Sequence, residues 1–183
     1  VKREIGLALS SKQEAAVYAT YRHNLSIITG SPGTGKTTVL KTILEVYRRL
    51  HPQGEIALMA PTGRASRRMA ESTGVDKAKT LHSILGLASE EDEIKRNNTQ
   101  EPLSADLIIV DEFSMVDMWL ANKFFSRIKG GARVILVGDP DQLPSVGAGN
   151  VFRELIDCGL ITVTVLDLSL IHISEPTRRS YIS

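Results

Sequence analysis

One cysteine, Cys158, in 183 residues excludes an internal disulfide and a cysteine-based zinc site, and fits a reducing compartment. No apolar run approaches membrane-spanning length, and Val1–Ile5 offers no signal-peptide core. The expectation is a soluble cytoplasmic chain with no membrane partner. Excess charge of one sign is also missing. The formal net charge is +1, so no global field draws in a polyanion, and any nucleic-acid site must be local. No internal repeat is visible. A chain of this length suits one domain with a sizeable core.

Against that background stands Gly30-Ser31-Pro32-Gly33-Thr34-Gly35-Lys36-Thr37, the full G-x-x-x-x-G-K-[ST] pattern. It follows an apolar run, Leu25–Ile28, and precedes a helix-like stretch, Thr38–Leu50. Each residue type answers a demand of a nucleoside triphosphate. Glycines let the backbone curl so that several N–H groups face the phosphates. The following helix adds its positive N-terminal end. Lys36 places a point charge between the β- and γ-phosphates, and the Thr37 hydroxyl suits Mg²⁺.

A second apolar run, Leu107–Val110, ends in Asp111-Glu112. Acids at the end of a buried strand sit where α/β sheets bind ligands. Asp111 is placed to hold Mg²⁺, and Glu112 to orient and deprotonate the attacking water. A third segment, Gly138-Asp139-Pro140-Asp141-Gln142-Leu143-Pro144, follows the run Val134–Val137. Gln142 there is in position to reach the γ-phosphate.

Further short apolar runs, Ile56–Met59 and Ile161–Leu166, alternate with helical patterns. Ser11-Lys12-Gln13-Glu14 reads as a capping box opening a helix to about Tyr21. Ala65, Met69 and Ala70 share a helix face that Gly74 closes; Leu81–Leu87, Val116–Ile128 and Ala148–Ile156 are further predicted helices. Ser89–Pro102 is polar and aperiodic, a predicted surface insertion. The fold class is therefore α/β, a P-loop domain with a mainly parallel sheet covered by helices on both faces. Arg64, Arg67 and Arg68 form a basic stripe on one predicted helix. Phe113 and Trp119 are expected in the core, with base stacking as the alternative.

These segments, in this order, resemble the RecD-like branch of superfamily-one DNA helicases, which includes the exodeoxyribonuclease V alpha subunit. The resemblance runs from about Leu9 to about Leu166. Gln13 looks like the branch's adenine-reading glutamine, and Gly30–Thr38 like its motif I, with Thr38 joining the nucleotide contacts. Ala60-Pro61-Thr62-Gly63-Arg64-Ala65 resembles motif Ia, and Thr80-Leu81-His82-Ser83 the next DNA-contacting motif. Asp111–Asp117 resembles motif II, and Gly138–Gly149 motif III. The resemblance implies a RecA-like motor domain that hydrolyses ATP with Mg²⁺ and moves 5′-to-3′ on single-stranded DNA in recombination and repair. It also implies that Thr62, Arg64 and His82 touch the DNA backbone. The partners it implies are a second RecA-like domain of the same protein and other recombination subunits.

After Asp167 the chain departs from the branch. Leu168–Ser183 resembles the translation of a transposase adapter used in short-read sequencing libraries, although Leu168–Ile173 also has the composition of a strand. The expected organisation is a first motor domain over 1–167 and a non-native tail over 168–183. Without the second domain's arginines, slow ATP hydrolysis and no unwinding are expected. The residues leave two other readings open: a nucleotide-gated ATPase acting on a protein partner, and the motor domain of a conjugative relaxase-helicase.

Overall fold

The structure is a computed structural model that describes residues 9–75, 77–87, 101–142 and 147–167. Its strands are β1 (Leu25–Thr29), β2 (Ile56–Ala60), β3 (Lys79–Thr80), β4 (Leu107–Val110), β5 (Arg133–Gly138) and β6 (Thr162–Val165). The helices are α1 (Ser11–Arg22), α2 (Lys36–Leu50), α3 (Gly63–Thr73), α4 (Leu81–Leu85), α5 (Met118–Phe125) and α6 (Val151–Asp157), with a 3₁₀ turn at Phe113–Met115. The sheet order is β3-β2-β4-β5-β1-β6, and every pairing is parallel. All strands therefore end at the same edge. The phosphate-loop strand β1 and the acid strand β4 are not neighbours, because β5 lies between them. Strand spacing puts them roughly 10 Å apart.

The apolar runs are continuous because both faces of these strands are covered. Ile27, Met59, Ile108, Val110, Val134 and Leu136 point into one core, closed by α4, the 3₁₀ turn, α5 and α6. Their alternates Ile28, Leu58, Leu107, Ile109, Ile135 and Val137 point into the other, closed by α1, α2 and α3. Each fully buried Ile or Leu contributes about 1.5–3 kcal/mol relative to exposure, as an upper estimate. This burial clamps the strand ends that carry the polar groups.

Local chemistry corrects several sequence expectations. The capping box lies one residue earlier than Ser11–Glu14. The Gln13 N–H donates to Ser10 Oγ at 3.3 Å, and the Ser10 N–H donates to Gln13 Oε1 at 3.0 Å. Ser10→Ala should lower stability by about 1 kcal/mol, readable as a shift of the denaturant midpoint. The helix expected over Val116–Ile128 begins only at Met118. Asp117 caps it, accepting from the Leu120 N–H at 2.8 Å, and the residues before it form the 3₁₀ turn. Gly86 ends α4 after Leu85, and α6 starts at Val151 with Asn150 as its cap. β3 is too short to show a period.

Ser89–Gln100, Leu143–Val146 and Leu168–Ser183 lie outside the described residues, and so do Val1–Ala8. Leu103 returns the insertion to the fold, its N–H donating to the Arg127 carbonyl at 2.7 Å. Among the described residues, no helix is long and apolar enough to cross a membrane.

Candidate nucleotide-binding site

β1 ends at Thr29, and the chain turns through Gly30–Gly35 before α2 begins at Lys36. Two glycines are required by what surrounds them. A Cβ on Gly30 would run into the Leu166 carbonyl and sit 2.7 Å from Thr34 Oγ1. Gly35 has φ +86°, and the Gln13 amide lies against it. The Thr34 hydroxyl donates to the Ser31 carbonyl at 2.8 Å and holds the curl. Gln13 Nε2 approaches the Thr34 carbonyl at 3.5 Å. Gln13, the partner of the Ser10 cap in the capping box, is therefore also docked on the loop.

The Lys36 ammonium spans the loop, donating to the Gly30 carbonyl and, at 3.0 Å, to the Ser31 carbonyl. Burial pushes its pKa down, while the nearby carboxylates of Asp139, Asp111 and Glu112 oppose that shift. The positive charge thus sits among negative groups at the place where phosphate would lie.

β4 delivers the acid pair. The Asp111 N–H donates to the Met59 carbonyl at 2.9 Å, and Asp111 Oδ1 accepts the Glu112 N–H at 2.9 Å. Burial pushes the Asp111 carboxyl up, and the Glu112 charge adds to this; the Glu112 N–H, Lys36 and Arg68 oppose it. Glu112 has φ +53°, the one positive value outside glycine among the described residues. That backbone costs about 1 kcal/mol or more and is held from both sides. Asp111 holds its N–H, and the Met115 N–H donates to its carbonyl at 3.0 Å.

These groups line one cleft of about 440 Å³. It brings together Pro32, Gly33, Gly35, Lys36 and Thr37 of the loop, the acids Asp111 and Glu112, and Gln142. Gly30 and Thr34 are buried behind it. The cleft also contains residues that sequence reasoning passed over. Asp139 is 5% exposed and accepts the Asp141 N–H at 3.0 Å. Its signal was a carboxylate just after the buried apolar run Val134–Val137. Arg153 of α6 steadies the same loop through the Pro140 carbonyl at 3.2 Å and Asp141 at 3.3 Å. Ala65, Arg68, Met69 and Ser72 of α3 form the far wall. They recur at helical spacing, and that was the signal for Arg68. The stripe expected of Arg64, Arg67 and Arg68 therefore splits, with Arg68 reaching the cleft.

The donor set fits Mg²⁺ arriving on a triphosphate. The Thr37 hydroxyl and the Asp111 carboxylate are hard oxygen donors lining the same cleft, and a dication would relieve the burial of Asp111. Among the described residues, no group of three or more His, Cys, Asp or Glu could hold a metal without such a substrate.

Thr62, Arg64 and His82 do not line the cleft. They follow the ends of the paired strands β2 and β3, at the same sheet edge. The Thr62 hydroxyl caps α3, accepting from the Ala65 N–H at 3.2 Å, while Arg64 and His82 are exposed. Phe113 is fully buried, as expected, but Trp119 is 46% exposed, with the Lys123 ammonium 5.9 Å from its ring.

A family profile described as an AAA domain matches residues 13–148, a span holding the loop, the acid pair and Gln142. The chain belongs to the AAA domain family. Its AAA domain is RecD-like along most of its length. It is 41% identical over 149 residues to the ATP-dependent RecD2 DNA helicase of Deinococcus radiodurans, which covers 81% of this chain and 20% of that protein. It is 39% identical over 164 residues to the RecBCD enzyme subunit RecD of Haemophilus influenzae, covering 78% of this chain and 26% of that protein. The chain thus spans a minor part of these relatives' length. Among solved structures, the Pif1 helicase from Candida albicans superposes with a TM-score of 0.64 at 29% identity, covering 88% of this chain and 40% of that one. The Bacteroides Pif1 bound to ssDNA shares the fold, with a TM-score of 0.57 at 23% identity over 88% of this chain and 42% of that one. Over most of its length this AAA domain is thus similar to part of two bacterial RecD-type proteins and of a Pif1 helicase.

Proposed function

We propose that this motor domain couples ATP hydrolysis to 5′-to-3′ movement on single-stranded DNA, within a cytoplasmic helicase of recombination and repair. The observation that carries the reading is the convergence of Lys36, Thr37, Asp111, Glu112 and Gln142 on one cleft of a RecD-like domain. Lys36 and the loop N–H groups of Gly30–Thr38 bind the phosphates. Gln13, already docked on the loop, reads the adenine. Mg²⁺ bound with ATP at Thr37 and Asp111 supplies charge neutralisation on the phosphates. Glu112 orients the attacking water and takes its proton, and Gln142 senses the γ-phosphate. Thr62, Arg64 and His82 hold the DNA backbone beside the cleft.

In this reading residues 1–167 are a first motor domain that acts with a second RecA-like domain, and residues 168–183 are foreign to it. An arginine supplied from a second domain is worth on the order of 10³–10⁵ in rate. The first domain by itself is therefore expected to bind Mg-ATP, turn it over slowly and unwind nothing. The test is Mg-ATP binding and turnover by the chain, with and without single-stranded DNA. Glu112→Gln should leave nucleotide affinity within about threefold and lower the single-turnover rate by about 100-fold or more. A Glu112→Gln chain that hydrolyses at the wild-type rate ends the assignment.

A further inference from the structure

The stripe of arginines on α3 is split by the helix itself. All three arginines are exposed, but of them Arg68 alone lines the cleft, beside Ala65, Met69 and Ser72. Ala65 and Met69 are 5% and 1% exposed, so the helix is anchored on both sides of Arg68 in sequence and its stem starts from a fixed base. From there Arg68 Nη1 lies 3.8 Å from Glu112 Oε1. The Arg68 side chain is 73% exposed and that of Glu112 is 29% exposed. A loose pair this open to water adds little to folding. Its consequence lies in where it holds the carboxylate.

Glu112 needs such a hold. Its backbone is fixed in the left-handed region, but its carboxylate lies at the end of a flexible side chain in an open cleft. Asp111 is committed through its backbone and its Oδ1, and repels Glu112. Lys36 donates to the loop carbonyls. Arg68 is the cation placed at 3.8 Å from the Glu112 oxygen.

We propose that Arg68 is the positioning residue for Glu112, and that through it α3 ties its exposed arginine face to the hydrolytic carboxylate. The inference rests on the proposed role of Glu112 in hydrolysis. Arg68 takes no proton and contacts no reacting atom. It restricts the carboxylate to the part of the cleft that Arg68 lines, so that the oxygen that must meet the attacking water does not swing freely. A displacement of about 1 Å at such a site costs about 100-fold in rate, so losing this hold is expected to cost tenfold or more.

The experiment compares wild type, Arg68→Ala, Arg68→Lys, Glu112→Gln and the double variant Arg68→Ala/Glu112→Gln. Each is measured for Mg-ATP affinity and for single-turnover hydrolysis with protein in excess, which resolves slow rates. Arg68→Ala should keep affinity within about threefold and slow hydrolysis by about tenfold or more. Arg68→Lys should recover part of the rate, because a point charge still attracts the carboxylate but lacks the fork. Adding Arg68→Ala to Glu112→Gln should slow nothing further, since no base is left to position. The inference is overturned by an unchanged Arg68→Ala rate, by a multiplicative double variant, or by an affinity loss of about tenfold or more, which would place Arg68 on the nucleotide itself. Equal rates for wild type and Glu112→Gln would overturn the hydrolysis reading and this inference together. A slow Glu112→Gln beside an unaffected Arg68→Ala overturns the inference alone.

Discussion

Lys36→Ala should weaken Mg-ATP binding by about 100-fold, or about 3 kcal/mol, while leaving the melting temperature within a few degrees. In the structure the ammonium donates to the Gly30 and Ser31 carbonyls and closes the loop on itself. A triphosphate offers the same ammonium a far stronger acceptor, so binding exchanges neutral carbonyls for phosphate oxygens. The exchange takes place where burial already disfavours the charge and three carboxylates hold it in place. Removing the side chain takes away the cation of the loop and leaves its N–H groups and the helix end to hold the phosphates beside the metal. Stability should change little, because two lost hydrogen bonds are offset by removing a cation from a partly desolvated position. A nucleotide titration beside a thermal melt separates the two. Unchanged affinity would mean that the loop does not bind phosphate through Lys36. A collapse of the melt would mean that Lys36 is a structural strut.

The parts of the site that were legible in the sequence are those whose chemistry is local. Lys36 and Thr37 are fixed by eight consecutive residues, and Asp111-Glu112 by the apolar run before them. Strand order was not legible. The placement of β5 between β1 and β4 is a non-local pairing, and no residue within either strand records it. Asp139 was hidden for the same reason, since its value depends on β5 ending beside Lys36. The capping box shows how two registers can compete. Ser10-Ser11 followed by Gln13-Glu14 spells the motif twice. The register with Gln13 is the one whose third residue also has a side-chain N–H to offer the Thr34 carbonyl, which the Glu14 carboxylate lacks. The sequence puts Arg68 in one basic stripe with Arg64 and Arg67, because the three fall within one broad arc of a helix wheel. The wheel gives the arc but not the neighbour across it. Trp119 was expected in the core on its residue type. It follows Asp117 and Met118 in the first turn of α5, while the buried face of that helix is filled by Leu120, Ala121 and Phe124.

Phe113→Ala should destabilise the domain by about 3–5 kcal/mol, a third or more of a typical margin, and lower its melting temperature by about 10 °C. Phe113 is fully buried, with ring centroids 6.2, 6.1 and 6.1 Å from those of Phe124, Phe125 and Phe152. It joins α5 and α6 to the 3₁₀ turn, and truncation leaves a cavity that rings from three other places must fill. Trp119→Ala, by contrast, should cost under about 1 kcal/mol, because the ring is half in water. The position of Phe113 also ties the core to the chemistry. The residue before it is Glu112, whose left-handed backbone persists because both flanks are pinned: Asp111 on one side, and the buried ring and 3₁₀ turn on the other. With the ring gone, Glu112 should relax towards an ordinary φ and turn its carboxylate out of the cleft. Phe113→Ala should therefore lose turnover at temperatures where it is still folded, while Mg-ATP affinity, set by Lys36 and the loop, changes by less than about threefold. Turnover that falls only in step with the unfolded fraction would show that the ring serves packing alone. A drop well below the melting transition, with binding intact, would show that the aromatic core holds the strained carboxylate in place.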